Sequence, residues 1–381
     1  MKYMGSKRKM LENGLGELII EYAKNANRVV DLFCGGGSVS WFAARYTTRP
    51  VIAVDLQKYA VILALSVIGR EHPIDISETG ITIINLVKSK IESSKYWNEA
   101  QSLDRDHSNI REMVEKARLL CNNYSDVGPI WNAYGGYYFS PVQALKFDYL
   151  LQNIPKDEPT RTVCLAALIA TASKCAASPG HTAQPFQPTE TAGRYISASW
   201  KLDPLSIFYK ELCELAPLYA NKMGDGIVGN AIDFTHQLEP DDLVFIDPPY
   251  SDVQYSRFYH VLETVAKGEQ IKVSGIGRYP PINERPQSGF SRVSESKQQL
   301  IQLLKGIAKS RATTLFTFPA GRSSNGLSGE MIKKIAEEYF YVEDVIVEGK
   351  FSTLGGNNNS RASRKKSSEL ILVMKPKMKI Y

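Results

Sequence analysis

The stretch Arg28–Ser38, RVVDLFCGGGS, decides how the rest of the chain is read. Arg28 to Phe33 is apolar and β-branched, the composition of a buried strand. Three glycines end it, and a helix is expected from Ser38 to Tyr46. Gly35 and Gly37 let the backbone turn sharply and approach a ligand at the C-terminal edge of a sheet. The dinucleotide fingerprint GxGxxG is left incomplete, because Ser40 stands at its third glycine position.

Downstream, VIAVDL (Val51–Leu56) reads as a second strand, followed by an apolar helix from Tyr59 to about Gly69. Strand, glycine turn, helix, strand and acid in this order open a doubly wound α/β sheet. Asp55 closes the second strand, where a carboxylate accepts hydrogen bonds from ribose hydroxyls. The pair therefore implies a nucleoside-containing cofactor, and NAD and S-adenosylmethionine satisfy it equally. Asp31, just before the turn, either holds the turn in shape or meets the cationic end of a methionine-like group.

From about Glu71 to Gly224 the rhythm changes to helical stretches and polar segments with few strands. The segment ASPGHTAQPFQPT (Ala177–Thr189) reads as a long loop. Strand signals return at Gly226–Phe234 and Asp242–Asp247. A helix (Ser294–Ser310), a strand (Thr313–Phe318), a helix (Ser328–Glu338) and a C-terminal antiparallel hairpin (Tyr341–Val347 with Ser368–Lys375) follow. The expected fold is α/β, a sheet interrupted by a large, mainly helical insert. Residues 1–75 and 225–381 make the cofactor-binding domain, and 76–224 the inserted region.

The totals exclude several classes. The chain has 381 residues and a net charge of +6, which favours a polyanionic partner only weakly. Its five cysteines form no CxxC pair, so reduced buried thiols are expected, with neither a disulfide framework nor a bound metal. No apolar run is long enough to cross a bilayer, and MKYMGSKRKMLE lacks the apolar core of a signal peptide. The expectation is a cytoplasmic protein with no membrane partner.

The second decisive stretch is LVFIDPPYSDVQYSRFYH, Leu243–His260. A buried strand ends in an acid, two prolines and a tyrosine. Proline lacks an N–H, so it stiffens the loop and removes local donors for neighbouring carbonyls. The Asp247 carboxylate and the Pro248 carbonyl become a rigid pair of acceptors, which suits the two N–H groups of an exocyclic amine. Pro249 completes the rigid turn and Tyr250 offers an aromatic face to a flat ring. That is the chemistry for a base swung out of a nucleic-acid stack. Phe258 and Tyr259 either close over such a base or pack the segment onto its surroundings.

DLFCGGGS, DPPY and the N-terminal KYMGSK together resemble the Dam-like adenine-N6 DNA methyltransferases, in that family's motif order. The resemblance covers roughly 1–75 and 225–381. It implies a Rossmann-like methyltransferase sheet and S-adenosylmethionine as cofactor. By it, Tyr3, Gly5 and Lys7 match the box lining the cofactor's methionine end; Asp31, Phe33, Gly35 and Gly37 match the cofactor turn; and Asp55 matches the ribose acid. Asp233 and Phe234 resemble the acidic–aromatic pair flanking the cofactor's adenine. Asp247, Pro248, Pro249 and Tyr250 match the catalytic loop. Ser6 departs from the pattern, standing where many relatives have a second glycine.

Arg361, Arg364, Lys365 and Lys366 in the expected hairpin loop, with Arg257, are the candidate contacts to DNA phosphates. Sequence choice is expected from Asn123–Ala198, which carries aromatics and amides (Asn132, Tyr134, Gln143, Gln184, Gln187) and a few bases (Lys174, Arg194), amides and arginine being the groups that read base edges; the alternative is a helical lid that only braces the core. The implied partner is double-stranded DNA, with a cognate restriction endonuclease if the chain serves a restriction–modification system. Methylation of adenine N6 in RNA and of cytosine N4 in DNA are the alternatives.

Overall fold

The computed structural model describes residues 7–105, 109–319, 321–350 and 366–377, with side chains for all of these except 77, 105, 346–350 and 366–369. Within them the chain forms two compact units. One comprises 7–72, Tyr219–Tyr255 and the described residues from Pro286 onward; the other comprises Pro73–Leu218 and Ser256–Arg285.

The first unit carries a seven-stranded sheet. Its strands are β1 (Arg28–Asp31), β2 (Val51–Asp55), β3 (Asp225–Val228), β4 (Asp242–Ile246), β5 (Thr313–Pro319), β6 (Phe340–Lys350) and β7 (Lys366–Pro376). Their order is β3-β2-β1-β4-β5-β7-β6. β1 pairs in parallel with both β2 and β4, so the winding reverses between β1 and β4. Open α/β sheets bind ligands at such a switch point, outside the carboxyl ends of the strands. β7 slots antiparallel between β5 and β6. This is the Rossmann-like sheet, with the antiparallel hairpin, that the sequence leads one to expect.

β4 is buried along its whole length, which explains its unbroken apolar run. Helices Ser296–Ser310 and Gly329–Tyr339 bring Leu300, Leu303, Leu304, Ile307, Ile332 and Ala336 into one core with Val30, Val244, Ile246 and Phe316. Ser328 caps the second of these helices through the Met331 N–H. The helical segment that opens at Arg8 is interrupted. Asn13 and Gly14 leave helical geometry, Gly14 at a φ of 105°, and a regular helix resumes at Gly16–Ala23. An Asn-Gly pair breaks an otherwise amphipathic pattern because glycine reaches that φ without a Cβ clash.

The second unit is built from helices, among them Ser77–Glu92, Ile110–Asn123, Pro129–Tyr134, Pro141–Asn153, Thr160–Cys175, Pro204–Leu215 and His260–Lys267. Pro129–Tyr134 starts on the buried Asp148, which accepts the N–H groups of Ile130 (2.9 Å) and Trp131 (2.8 Å). Thr160–Cys175 is buried along nearly its whole length, which is why VCLAALIATA is apolar all round without crossing a membrane. Among the described residues no helix is long and apolar enough to span a bilayer. Ser256–Arg285, placed by sequence in the cofactor domain, packs with 73–218 instead. Four of the five free cysteines are buried, whereas Cys213 is exposed.

Candidate active site

The glycine turn is held by two acids from neighbouring strands. Asp55 at the end of β2 accepts the Gly35 N–H at 2.9 Å and the Gln57 N–H at 3.0 Å, one on each oxygen. Gly37 has a φ of +76°, and a Cβ there would come within 3.0 Å of the Trp41 indole nitrogen. The positive φ favours glycine, and a side chain would in addition crowd the indole. Asp31 at the end of β1 is buried and accepts the Ser40 hydroxyl at 2.6 Å. Ser40 thus stands at the missing third glycine position because it donates to a buried carboxylate. Burial pushes the Asp31 carboxyl up to about 7, against the pull of Ser40, with the charges of Asp247 and Asp55 adding to the rise. Among the described residues its other oxygen, Oδ1, is buried with no hydrogen-bond partner. Phe33 lies half-buried beside the turn, edge-on to Phe290 with ring centroids 5.5 Å apart.

β4 runs beside β1 and carries Asp247 immediately beyond its last residue. Three donors converge on Oδ1 of Asp247: the Lys7 ammonium at 3.0 Å, the Thr317 hydroxyl at 3.0 Å, and the Tyr250 hydroxyl. The Tyr250 hydroxyl also lies 2.7 Å from the Thr317 carbonyl, and its ring stands edge-on to Phe318. The Lys7 ammonium is 5.3 Å from the Tyr250 ring centroid. Burial raises the Asp247 carboxyl above its ordinary range, and Lys7 and Thr317 pull it back down.

The carbonyls of the loop are treated unequally. Asn325, fully buried, donates its side-chain amide to the Pro249 carbonyl at 3.0 Å and its backbone N–H to the Tyr250 carbonyl at 3.4 Å. Among the described residues no hydrogen bond reaches the Pro248 carbonyl. Among the described residues, one of three successive carbonyls is therefore left without a hydrogen bond, next to a carboxylate whose three donors all reach Oδ1.

The model of the D12 class N6 adenine-specific DNA methyltransferase family matches residues 3–134 and 185–311, most of the chain. The chain belongs to this family. It is also similar to Modification methylase LlaI of Lactococcus lactis subsp. lactis, at 24% identity over 321 residues, which is 81% of this chain and 44% of that protein. The chain thus spans less than half the length of that curated relative.

For this D12 class chain, the structure gathers Lys7, Asp31, Gly35, Gly37, Asp55 and the Asp247–Tyr250 loop in the sheet unit. Tyr3, Gly5, Arg361, Arg364 and Lys365 lie outside the described residues. Lys366 begins β7, and its side chain is likewise not described. Phe234 is a core residue only 4% exposed, its faces taken up by packing, while Asp233 on the same short helix is exposed. Three contributors escape a reading of the sequence. Ser40 shows there only as an absent glycine, and Thr317 and Asn325 lie 70 and 78 positions from Asp247 with no local pattern to mark them.

In the helical unit, several expected base readers are committed internally. Tyr134 is fully buried. Gln143 completes a capping box with Ser140 and donates to the Ser199 and Leu202 carbonyls. Asn132 donates to Ser125 and Gln270, and Lys174 pairs with Glu211. Gln184 and Arg194 remain exposed. Tyr259 is buried, as packing requires, whereas Phe258 is half-buried with its ring 4.7 Å from that of His181.

Proposed function

We propose that the chain transfers the methyl group of S-adenosylmethionine to N6 of an adenine extruded from double-stranded DNA, as the modification enzyme of a restriction–modification or stand-alone epigenetic system. Membership of the D12 family supports adenine N6 and DNA. The observation that carries the chemistry is the pairing of the Asp247 carboxylate with the open Pro248 carbonyl at the switch point of the sheet.

The residues of the cofactor turn fit the proposed donor. The buried, unpartnered Oδ1 of Asp31 suits an ammonium group. Asp55 is half-exposed and, with both oxygens already orienting the turn, retains lone pairs for ribose hydroxyls. Gly35 and Gly37 keep the backbone bare for close approach. When bound, the sulfonium supplies an activated methyl group, so the difficulty lies with the acceptor amine.

An adenine amine shares its lone pair with the ring and is a poor nucleophile. Asp247 and the Pro248 carbonyl accept its two N–H groups, which localises the lone pair for attack. The same acceptors stabilise the positive charge that develops on nitrogen as the N–CH3 bond forms and the S–CH3 bond breaks, and the amine then sheds one proton, late, to Asp247 or to water. Lys7, Thr317 and Tyr250 hold the carboxylate through Oδ1, leaving Oδ2 as the atom for an incoming N–H. Fixed acceptors need no reorganisation during reaction.

The test is incubation with labelled S-adenosylmethionine and duplex DNA, single-stranded DNA or RNA, followed by digestion and identification of the modified nucleoside. N6-methyladenine from duplex DNA is expected. Label confined to RNA, or recovered as N4-methylcytosine, overturns the reading. Asp247→Ala should lower transfer by roughly 10²-fold or more while retaining cofactor binding.

A further inference from the structure

Within the helical unit, two arginines share one aromatic ring. The guanidinium carbon of Arg257 lies 4.7 Å from the centroid of Tyr279, and that of Arg285 lies 5.4 Å from the same centroid. Tyr279 is fixed by its hydroxyl, which donates to the Ala183 carbonyl. Behind it sits His260, buried, with ring centroids 5.0 Å apart. The His260 ring nitrogens face the Arg257 carbonyl at 3.1 Å and the Gly277 carbonyl at 3.0 Å. The neutral ring has one N–H and donates it to one of these carbonyls, packed between the two chain segments that bear Arg257 and Tyr279. Thr182 adds a second tie, its N–H and its hydroxyl both reaching the Phe258 carbonyl at 2.7 Å.

Like charges brought to one ring repel. Arg257 lowers the basicity of Arg285, second only to burial, and both arginines act against a charge on His260. Arg257 is exposed, and among the described residues no carboxylate pairs with it. A rigid base that concentrates positive charge is built to receive an anion. Guanidinium planes match phosphate oxygens two at a time, and a ring beneath them keeps the planes oriented.

We propose that Arg257 and Arg285, seated on Tyr279, form a binding site for a backbone phosphodiester of bound DNA. This rests on the reading of DNA as substrate. Such a contact sets where the strand lies and carries no sequence choice. It also gives the segment after the Asp-Pro-Pro-Tyr loop a role of its own. Arg257 follows Tyr250 by seven residues, so one short stretch of chain leads from the proposed amine acceptors to the phosphate site.

The test is the salt dependence of duplex DNA binding by the full chain, read by fluorescence anisotropy. Each phosphate neutralised contributes about −0.9 to the slope of log affinity against log salt. Arg257→Gln should weaken binding to unrelated duplex sequences alike and reduce the slope by about one. Arg257→Lys should restore most of the slope, because it keeps the charge. An unaltered slope and affinity in Arg257→Gln overturn the proposal, as does a change seen on an RNA duplex of the same sequence and not on DNA. Failure of the enzymatic reading is distinguishable: a wild-type chain that transfers no methyl group but loses slope on Arg257→Gln retains the phosphate site.

Discussion

Lys7 and Asp247 are 240 positions apart in the chain, yet the Lys7 ammonium sits 3.0 Å from Oδ1 of Asp247, its side chain 4% exposed against 17% for the acid. A charge withdrawn from water needs a partner, and breaking such a pair leaves the other member uncompensated. Lys7 is therefore a group that favours the ionised form of Asp247 against the burial that disfavours it. Replacing it with Gln removes a pull that lowers the Asp247 pKa, so that pKa rises further. The acid limb of the pH–rate profile for methyl transfer should move to higher pH in Lys7→Gln. A variant that keeps the wild-type profile would falsify this role.

Asn325 positions the loop without touching the proposed substrate. Its amide also donates to the Phe290 carbonyl at 3.1 Å, so it ties the Asp-Pro-Pro-Tyr loop to the wall of the cofactor turn. Asn325→Ala should lower kcat roughly 10- to 100-fold through displacement of the acceptors, with the KM for cofactor changed far less. Steady-state kinetics separates the two. A loss confined to KM would assign Asn325 to cofactor binding instead.

Ser40 is a structural donor. Ser40→Ala leaves Oδ2 of the buried Asp31 without its 2.6 Å partner and should cost about 1–3 kcal/mol in urea unfolding. Ser40→Gly, which restores the familiar glycine pattern, should be no better, because glycine has no hydroxyl and weakens a helix. Gain of stability on Ser40→Gly would show that the hydroxyl is dispensable.

His260 makes the helical unit sensitive to acid. Burial, with Arg285 and Arg257 adding to it, lowers its pKa to about 4. Below pH 6.5 the unfolded chain takes up a proton that the folded chain refuses, so stability falls as the pH drops from about 6.5 to about 4. The full span is worth ~3 kcal/mol. Asp31 and Asp148, each raised to about 7 by burial, act in the opposite sense, because the folded chain binds their protons more tightly over that range. Their effects cancel when wild type is compared with His260→Gln. The wild type should therefore lose stability relative to the variant between pH 7 and pH 5 in denaturant titrations. A constant difference across that range would exclude His260 as the source.

The sheet and its two loops were legible because their signals are local. A β-branched run, a glycine turn and an acid at the next strand's end are read within one stretch of chain, and β1, β2 and β4 lie where those runs place them. Asp-Pro-Pro-Tyr is equally local, since proline acts on its immediate neighbours. What the tertiary structure decided is which distant groups complete these loops. Lys7 and Thr317 favour the ionised form of Asp247, Asn325 engages the Pro249 and Tyr250 carbonyls, and Phe234 is spent on the core. Ser256–Arg285 joins the helical unit, because its contacts are with 133–138 and 181–183 rather than with its chain neighbours alone. Local propensity carries the elements, whereas burial, charge pairing and hydrogen-bond satisfaction depend on partners tens to hundreds of residues away, and only folding brings those together.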